Sequence, residues 1–288
     1  MIEVLEVAGS ALVQDTGRPG HSHLGVSPSG AADRGALAAG NHALGNPAGA
    51  AVLEVIGAFS MRVRRDLLVA VTGAAAPLML DGVATDARVL AVEAGTVISL
   101  GTPRWGLRTY LAVRGGLDVP PVLGSRSTDV LSGLGPAALA AGDLLGTLPG
   151  MGAVPTSDAH PQEVHPTPLV MLDASAGPRA DWLVDPQELY RRPWRVSALA
   201  DRVGVRLEGE PLPRAITCEL PSEGVVTGSV QVPPGGTPVI LGPDHPVTGG
   251  YPVVAVLTAT ACDAVAQLRP GTTVRFRRAQ RPETQKTT

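Results

Sequence analysis

Residues 67–113 read LLVAVTGAAAPLMLDGVATDARVLAVEAGTVISLGTPRWGLRTYLAV. Four short runs rich in Val, Leu, Ile and Ala stand out, Leu67–Thr72, Ala87–Val92, Thr96–Leu100 and Arg108–Val113, parted by clusters of Gly, Pro and Asp. Each run is bounded by residues that make turns, and β-branched side chains favour the pleated backbone, so each reads as a strand.

The pattern continues on both sides, in Ile2–Val7 and Ala51–Ile56 before it and in Pro168–Leu172, Trp194–Ala198, Val203–Leu207, Pro238–Leu241, Pro252–Leu257 and Thr272–Phe276 after it. Such regular spacing predicts a mainly β protein of two β-barrel domains with a few short helices. A short echo, residues 26–30 (VSPSG) against 232–236 (VPPGG), falls once in each half and marks the two as related barrels. Composition agrees. Among 288 residues there are 35 Gly and 27 Pro but only 2 Phe, 3 Tyr and 3 Trp, so a core of Val, Leu, Ala and Ile must lie between many turns.

Helices are expected from Asp33 to Leu44, ending at Gly45-Asn46, from an Asp185 cap to Pro193, and from a Thr260 cap to about Leu268. The Pro- and Gly-rich stretch with no apolar periodicity places a linker at 151–167. It separates an N-terminal β-rich domain, 1–150, from a C-terminal barrel domain, 168–280, with a disordered tail at 281–288.

The formal net charge of −3, without a basic stripe interleaved with aromatics, argues against nucleic acid as a partner. No leader-like segment and no run of about 18 apolar residues occurs, so a cytoplasmic protein without a membrane partner is expected. Cys218 and Cys262 are far apart and read as packing thiols, and His21 and His23 lack a third ligand, so no metal site is expected. The sole lysine is Lys286, which excludes a P-loop, Schiff-base chemistry and a biotin-acceptor lysine in the folded part. The remaining cations are arginines, whose planar forks suit small acidic ligands.

Three polar clusters can carry chemistry. The first holds Gln14, Asp15, Gly17 and Arg18, then Ser29, Gly30 and Asp33; its glycine-rich turns, a helix N-terminus and the Arg18 fork can make an anion site. The second, Ser125, Arg126, Ser127 and Thr128, packs hydroxyls around one arginine. The third runs from Gln231 to Asp244, Thr248, Gly249, Gly250 and Tyr251; here Asp244 can act as a base, Thr248 and the glycine amides can line a pocket, and Tyr251 can wall it. Each cluster is equally compatible with turn chemistry alone.

Taken in order, these clusters resemble the allophanate hydrolase subunit 2 family, also called the KipA-like or biotin-dependent carboxyltransferase C–D family. The resemblance extends through Leu53-Glu54, Tyr110, Gly115-Gly116, Asp201-Arg202-x-Gly204-x-Arg206-Leu207 and Ser222-Glu223-Gly224. Two departures are visible: Pro136-Ala137 stand where the family has Gly-Arg, and Arg179 follows Gly177-Pro178 in place of Gln. The resemblance implies cyclophilin-like barrels. It further implies a hydrolase subunit, the C-type component of an ATP-dependent 5-oxoprolinase, inactive alone and assembled with a B-type subunit of the allophanate hydrolase subunit 1 (KipI-like) kind and an A-type subunit. ATP with Mg would act at the level of that hetero-oligomer, on a small acidic substrate, with no covalent biotin on this chain. On this reading Arg18 or Arg126 holds carboxylate or phosphate, the amides of Gly249 and Gly250 polarise the lactam carbonyl, and Asp244 positions a nucleophile or a metal-bound phosphate. The alternatives that the family carries are carboxyl transfer in a biotin-dependent urea or amide carboxylase, and a regulatory role as partner of a kinase-inhibitor-like B-type subunit.

Overall fold

The computed structural model describes residues 1–152 and 168–279. Residues 153–167 of the expected linker and the expected tail lie outside the described residues. The chain is mainly β, with three short helices among the described residues: α1 (Arg34–Ala43), α2 (Glu188–Arg191) and α3 (Ala259–Ala266).

The first half is one ten-stranded sheet that branches at its second strand. Strands Ile2–Gln14 and Val52–Val63 pair antiparallel from Ile2 opposite Val63 to Gln14 opposite Val52. The far edge of Val52–Val63 is shared: its beginning pairs with Arg108–Val113 and its end with Val97–Leu100. Both long strands run through a glycine that reads as a terminator. Gly9 lies directly opposite Gly57, each with positive φ, and a Cβ on either would stand 2.2 Å or less from the facing carbonyl oxygen. The glycines thus let two backbones approach and bend, and the strands continue through them.

The decisive stretch shows why strand Arg108–Val113 is buried on both sides. Leu111 and Val113 join Val69 and Val71 in the main core, while Tyr110 and Ala112 join Ala70 and the helix residues Ala36 and Leu37 in a second layer. That alternation is the two-residue period of a sheet covered by a helix on its other face. α1 covers it, capped by Asp33, whose carboxylate accepts from the Ala36 amide at 2.8 Å. Thr72 anchors the helix by donating to the Ala36 carbonyl at 2.8 Å.

The second half closes into a seven-stranded barrel in the order Val170–Ala176, Val253–Leu257, Ser229–Gln231, Val239–Leu241, Gly204–Glu208, Trp194–Ala200, Thr273–Arg278. All neighbours are antiparallel except the closing pair, where Val170 stands opposite Val274 in parallel register. Its core has its own aromatic centre, Trp194 and Phe276. α3 starts earlier than expected: Thr258, not Thr260, accepts from the Ala261 amide at 3.3 Å. Thr258 leaves the strand in extended conformation and so can turn its hydroxyl back on the first turn, whereas Thr260 is already helical. The second helix is shorter than expected, with Gln187 as its N-cap; Asp185 instead accepts from the Gln187 amide at 2.8 Å.

Candidate functional site

The two halves are joined by a buried polar clasp. Arg202, in the turn after strand Trp194–Ala200, donates from Nε to Asp244 Oδ2 at 2.7 Å and from Nη2 to Oδ1 at 2.9 Å. Its Nη1 reaches Glu54 at 2.7 Å and its Nη2 the Gly30 carbonyl at 2.6 Å, both in the first half. Glu54 also faces Arg108 Nε at 3.3 Å, accepts from the Tyr110 hydroxyl at 2.7 Å and accepts from the Ala32 amide at 2.9 Å. Burial opposes charge on Glu54, but the Arg202 and Arg108 guanidinia outweigh it and hold the carboxyl below its ordinary range. Burial likewise opposes charge on Arg202, and Glu54 and Asp244 overcome it, so the guanidinium stays protonated. Tyr110 is pushed well above the ordinary phenol range by burial and then by Glu54 and Asp33.

Asp244 therefore sits deeper than a loop aspartate is expected to. It is fully buried, and besides Arg202 its oxygens accept from Ser29 Oγ at 2.7 Å and from the Val130 amide at 3.0 Å. Each oxygen has two partners, so no lone pair is left to act as a base. The expectation that Asp244 orients a water or nucleophile gives way here to an anion that ties three chain segments together.

The first two sequence clusters converge on this clasp. Asp15 accepts from Ser125 Oγ and the Arg126 amide, both at 2.6 Å, and from the Gly17 amide at 2.8 Å. Gln14 donates to the Thr128 carbonyl at 2.8 Å. Arg18 is buried and turned inward, donating to the carbonyls of Val122 and Ser127. Thr128 donates to the Pro136 carbonyl at 2.9 Å, and Ser127 shares its hydroxyl with that of Ser125. A Cβ on Gly17 would meet Pro28 O at 2.4 Å, and one on Gly30 would meet Gly17 N at 2.8 Å. These glycines serve the contact of backbone with backbone, and the space that a phosphate cradle needs is filled.

The N-terminus of α1, expected as an anion site, already holds the protein's own carboxylates. Asp33 occupies the Ala36 amide, and Asp263 of α3 accepts from the Arg34 amide at 2.8 Å. Gln267 completes this junction by donating to Asp33 at 2.7 Å and accepting from the amides of Leu107 and Arg108 at 3.0 Å.

The third cluster divides. Asp244 goes to the clasp, while Thr248 and Gly249 form a two-stranded ladder with Glu223 and Gly224, and Thr248, Gly250 and Tyr251 are exposed. Gln231 donates to the Tyr251 carbonyl at 3.2 Å. Among the described residues no hydrogen bond joins this ladder to Arg18, Arg126 or the clasp. Arg179, the departure from the family pattern, pairs with Glu223 beside it.

Alongside the clasp, between the halves, lies a cavity of about 460 Å³. Pro19, Pro28, Ala31 and Ala32 wall it on one side, and Val225, Val226, Pro243 and Leu257 on the other. Its polar lining is Ser22, Arg34, Thr227, His245, Cys262 and Asp263, none of them a site residue expected from sequence. The Thr248 ladder backs this wall, since the Val225 amide donates to the Val247 carbonyl at 3.1 Å. His245 is buried; its Nδ1 lies 2.7 Å from the Pro246 carbonyl and its Nε2 has no hydrogen-bond partner. Burial, augmented by Asp263, pushes the Cys262 thiol up to about 11, so it is a neutral lining group and not a nucleophile.

Comparison with known proteins places this arrangement in a class. Residues 24–278 match the model of the carboxyltransferase domain, subdomain A and B, and the chain belongs to that family. The C-type 5-oxoprolinase subunit of Haemophilus influenzae is 34% identical, over 96% of this chain and 90% of that protein. Its counterpart of the same type from Escherichia coli is 35% identical over the same shares. In three dimensions the chain superposes on the urea amidolyase of K. lactis with a TM-score of 0.87 at 28% identity, covering 97% of this chain but 19% of that one. The match to the large amidolyase is thus confined to a small part of its length.

Proposed function

We propose that this chain is the C-type subunit of an ATP-dependent 5-oxoprolinase, in which water adds across the lactam C–N bond of 5-oxoproline to give glutamate. The observation that carries the proposal is the cavity between the halves, which combines an apolar wall with a cationic side chain, Arg34, that is exposed at its lining. A small ring bearing a carboxylate fits that chemistry: the ring lies against the prolines and valines, and Arg34 faces the carboxylate. The C-type subunits of Haemophilus influenzae and Escherichia coli align with this chain almost end to end, which supports the same reading.

On this proposal the clasp is the scaffold. Arg202, Asp244 and Glu54 hold the two walls at a fixed separation, and Pro243 and His245, which flank Asp244, together with Ala31 and Ala32, which follow the Gly30 carbonyl that Arg202 holds, form part of the lining. Nucleotide binding is assigned to the B- and A-type subunits or to their junction with this chain, because Gly17 and Gly30 are packed against backbone and Arg18 donates to the Val122 and Ser127 carbonyls.

The test is glutamate release from 5-oxoproline with ATP and Mg by this chain mixed with B- and A-type partners, omitting each in turn. Loss of activity on omission of this chain is expected. A well-formed complex with no such activity would move the assignment to carboxyl transfer, which the family model favours as second reading; that reaction needs a biotin carrier in trans.

A further inference from the structure

We propose that His245 reads the substrate's nitrogen, accepting a hydrogen bond at Nε2 from a lactam or amide N–H held in the cavity between the halves. The proposal rests on the reading of that cavity as the substrate site.

Three observations lead to it. His245 lines the cavity and is 2% exposed. The Pro246 carbonyl, 2.7 Å from Nδ1, can only accept, so Nδ1 carries the proton and fixes the tautomer. Nε2 is then an unprotonated acceptor, and it is a buried atom with no partner in the protein. A buried acceptor left unpaired is a cost to the folded chain, so a ligand that supplies a donor recovers what the fold forgoes.

The imidazole is also kept neutral. Burial lowers its affinity for a proton, against the Pro246 carbonyl, Asp244 and Asp129, which favour the charged form. Both aspartates are engaged elsewhere, Asp244 with Arg202, and Asp129 with Ser27 Oγ at 3.1 Å and the amides of Leu131 and Ser132. The ring therefore carries a free lone pair at Nε2 and not a positive charge.

The ligand so described has two recognition elements, an anionic group for Arg34 and a ring or chain N–H for His245. A cyclic ester of the same shape and charge lacks the second element and sets an oxygen lone pair against that of Nε2.

The experiment measures binding of 5-oxoproline and of its ring-oxygen lactone isostere by titration calorimetry, to the full chain and to the complex with its partners. Wild type is expected to prefer the lactam by up to about 100-fold, because the lactone leaves the buried Nε2 acceptor unpaired. His245→Phe should bring the two ligands to within a few-fold, and His245→Gln, which restores an acceptor, should recover part of the preference. An equal lactam-to-lactone ratio in wild type and His245→Phe would overturn the assignment of His245 while leaving the cavity as the binding site. Absence of 5-oxoproline binding by both chain and complex would overturn the reading of the cavity and this proposal with it.

Discussion

Arg202 and Asp244 meet through two parallel hydrogen bonds, of 2.7 and 2.9 Å, with neither side chain more than 5% exposed. The same guanidinium reaches across to Glu54 at 2.7 Å. Two charges removed from water repay their desolvation only where the geometry is near ideal and the remaining donors and acceptors are satisfied. Here they are, and the pair pins the barrel to the branched sheet. Replacing Arg202 with Leu leaves two buried carboxylates facing each other across the gap and should cost about 3–5 kcal/mol. Arg202→Lys keeps the charge but cannot reach Asp244, Glu54 and Gly30 at once, and should lose part of that. Urea unfolding monitored by the tryptophans measures both.

Tyr110 offers a cleaner probe of the same network. Its hydroxyl donates to Glu54 at 2.7 Å and accepts from the Asp33 amide at 2.8 Å. Tyr110→Phe preserves the packing of the ring and leaves a buried amide without an acceptor, so about 1–3 kcal/mol of stability should be lost. Amide exchange at Asp33 should accelerate, since the cap of α1 loosens with it.

Stability should depend on pH in two opposing ranges. Asp33 and Asp263 are raised by burial, which outweighs their hydrogen bonds, so the folded state takes up protons before the unfolded one as pH falls from neutral, and stability rises over that range. Glu54 is lowered, burial notwithstanding, by Arg202 and Arg108; its contribution is complete above the unfolded value of about 4.3 and is lost as pH falls through the folded value. A denaturation midpoint that climbs gently as pH falls from neutral and then falls steeply in more acid solution is expected. Asp263→Asn, whose amide oxygen can still accept from Arg34, should flatten the upper limb and leave the acid limb.

Thr248 and Tyr251 separate a structural from a functional role without disturbing the fold. Both are exposed, so Thr248→Ala and Tyr251→Ala should change stability by less than about 0.5 kcal/mol. A weakened complex in either variant would assign these residues to the meeting surface with a partner subunit, and a loss of glutamate release with the complex intact would assign them to the reaction itself.

The strand runs were legible because alternation and turn residues carry that information locally; Leu67–Gly73 and Arg108–Val113 lie where their Val, Leu and Thr content puts them. Continuation of the first two strands through Gly9 and Gly57 was not legible, because a glycine that ends a strand and one that lets two backbones meet are spelled alike. Asp15, Ser29, Ser125 and Asp244 stood out as polar residues among turns, and they do gather. The burial of Ser29 and Asp244 was invisible, since it depends on Arg202 and the two halves coming together from distant parts of the chain. His245 and Arg34 carried no local signal; a histidine beside proline and an arginine after a helix cap are ordinary, and only the junction of the halves gives them a common cavity.

The most direct test is turnover of 5-oxoproline by the assembled complex carrying Val226→Trp. Val226 lines the cavity and is 56% exposed, so a larger side chain there can be accommodated by the fold and reach into the space between the walls. The complex should form as in wild type and glutamate release should fall at least ~10-fold, the loss of about 1.4 kcal/mol of transition-state stabilisation. Undiminished turnover in that complex would contradict the assignment of the cavity as the place where the lactam is held.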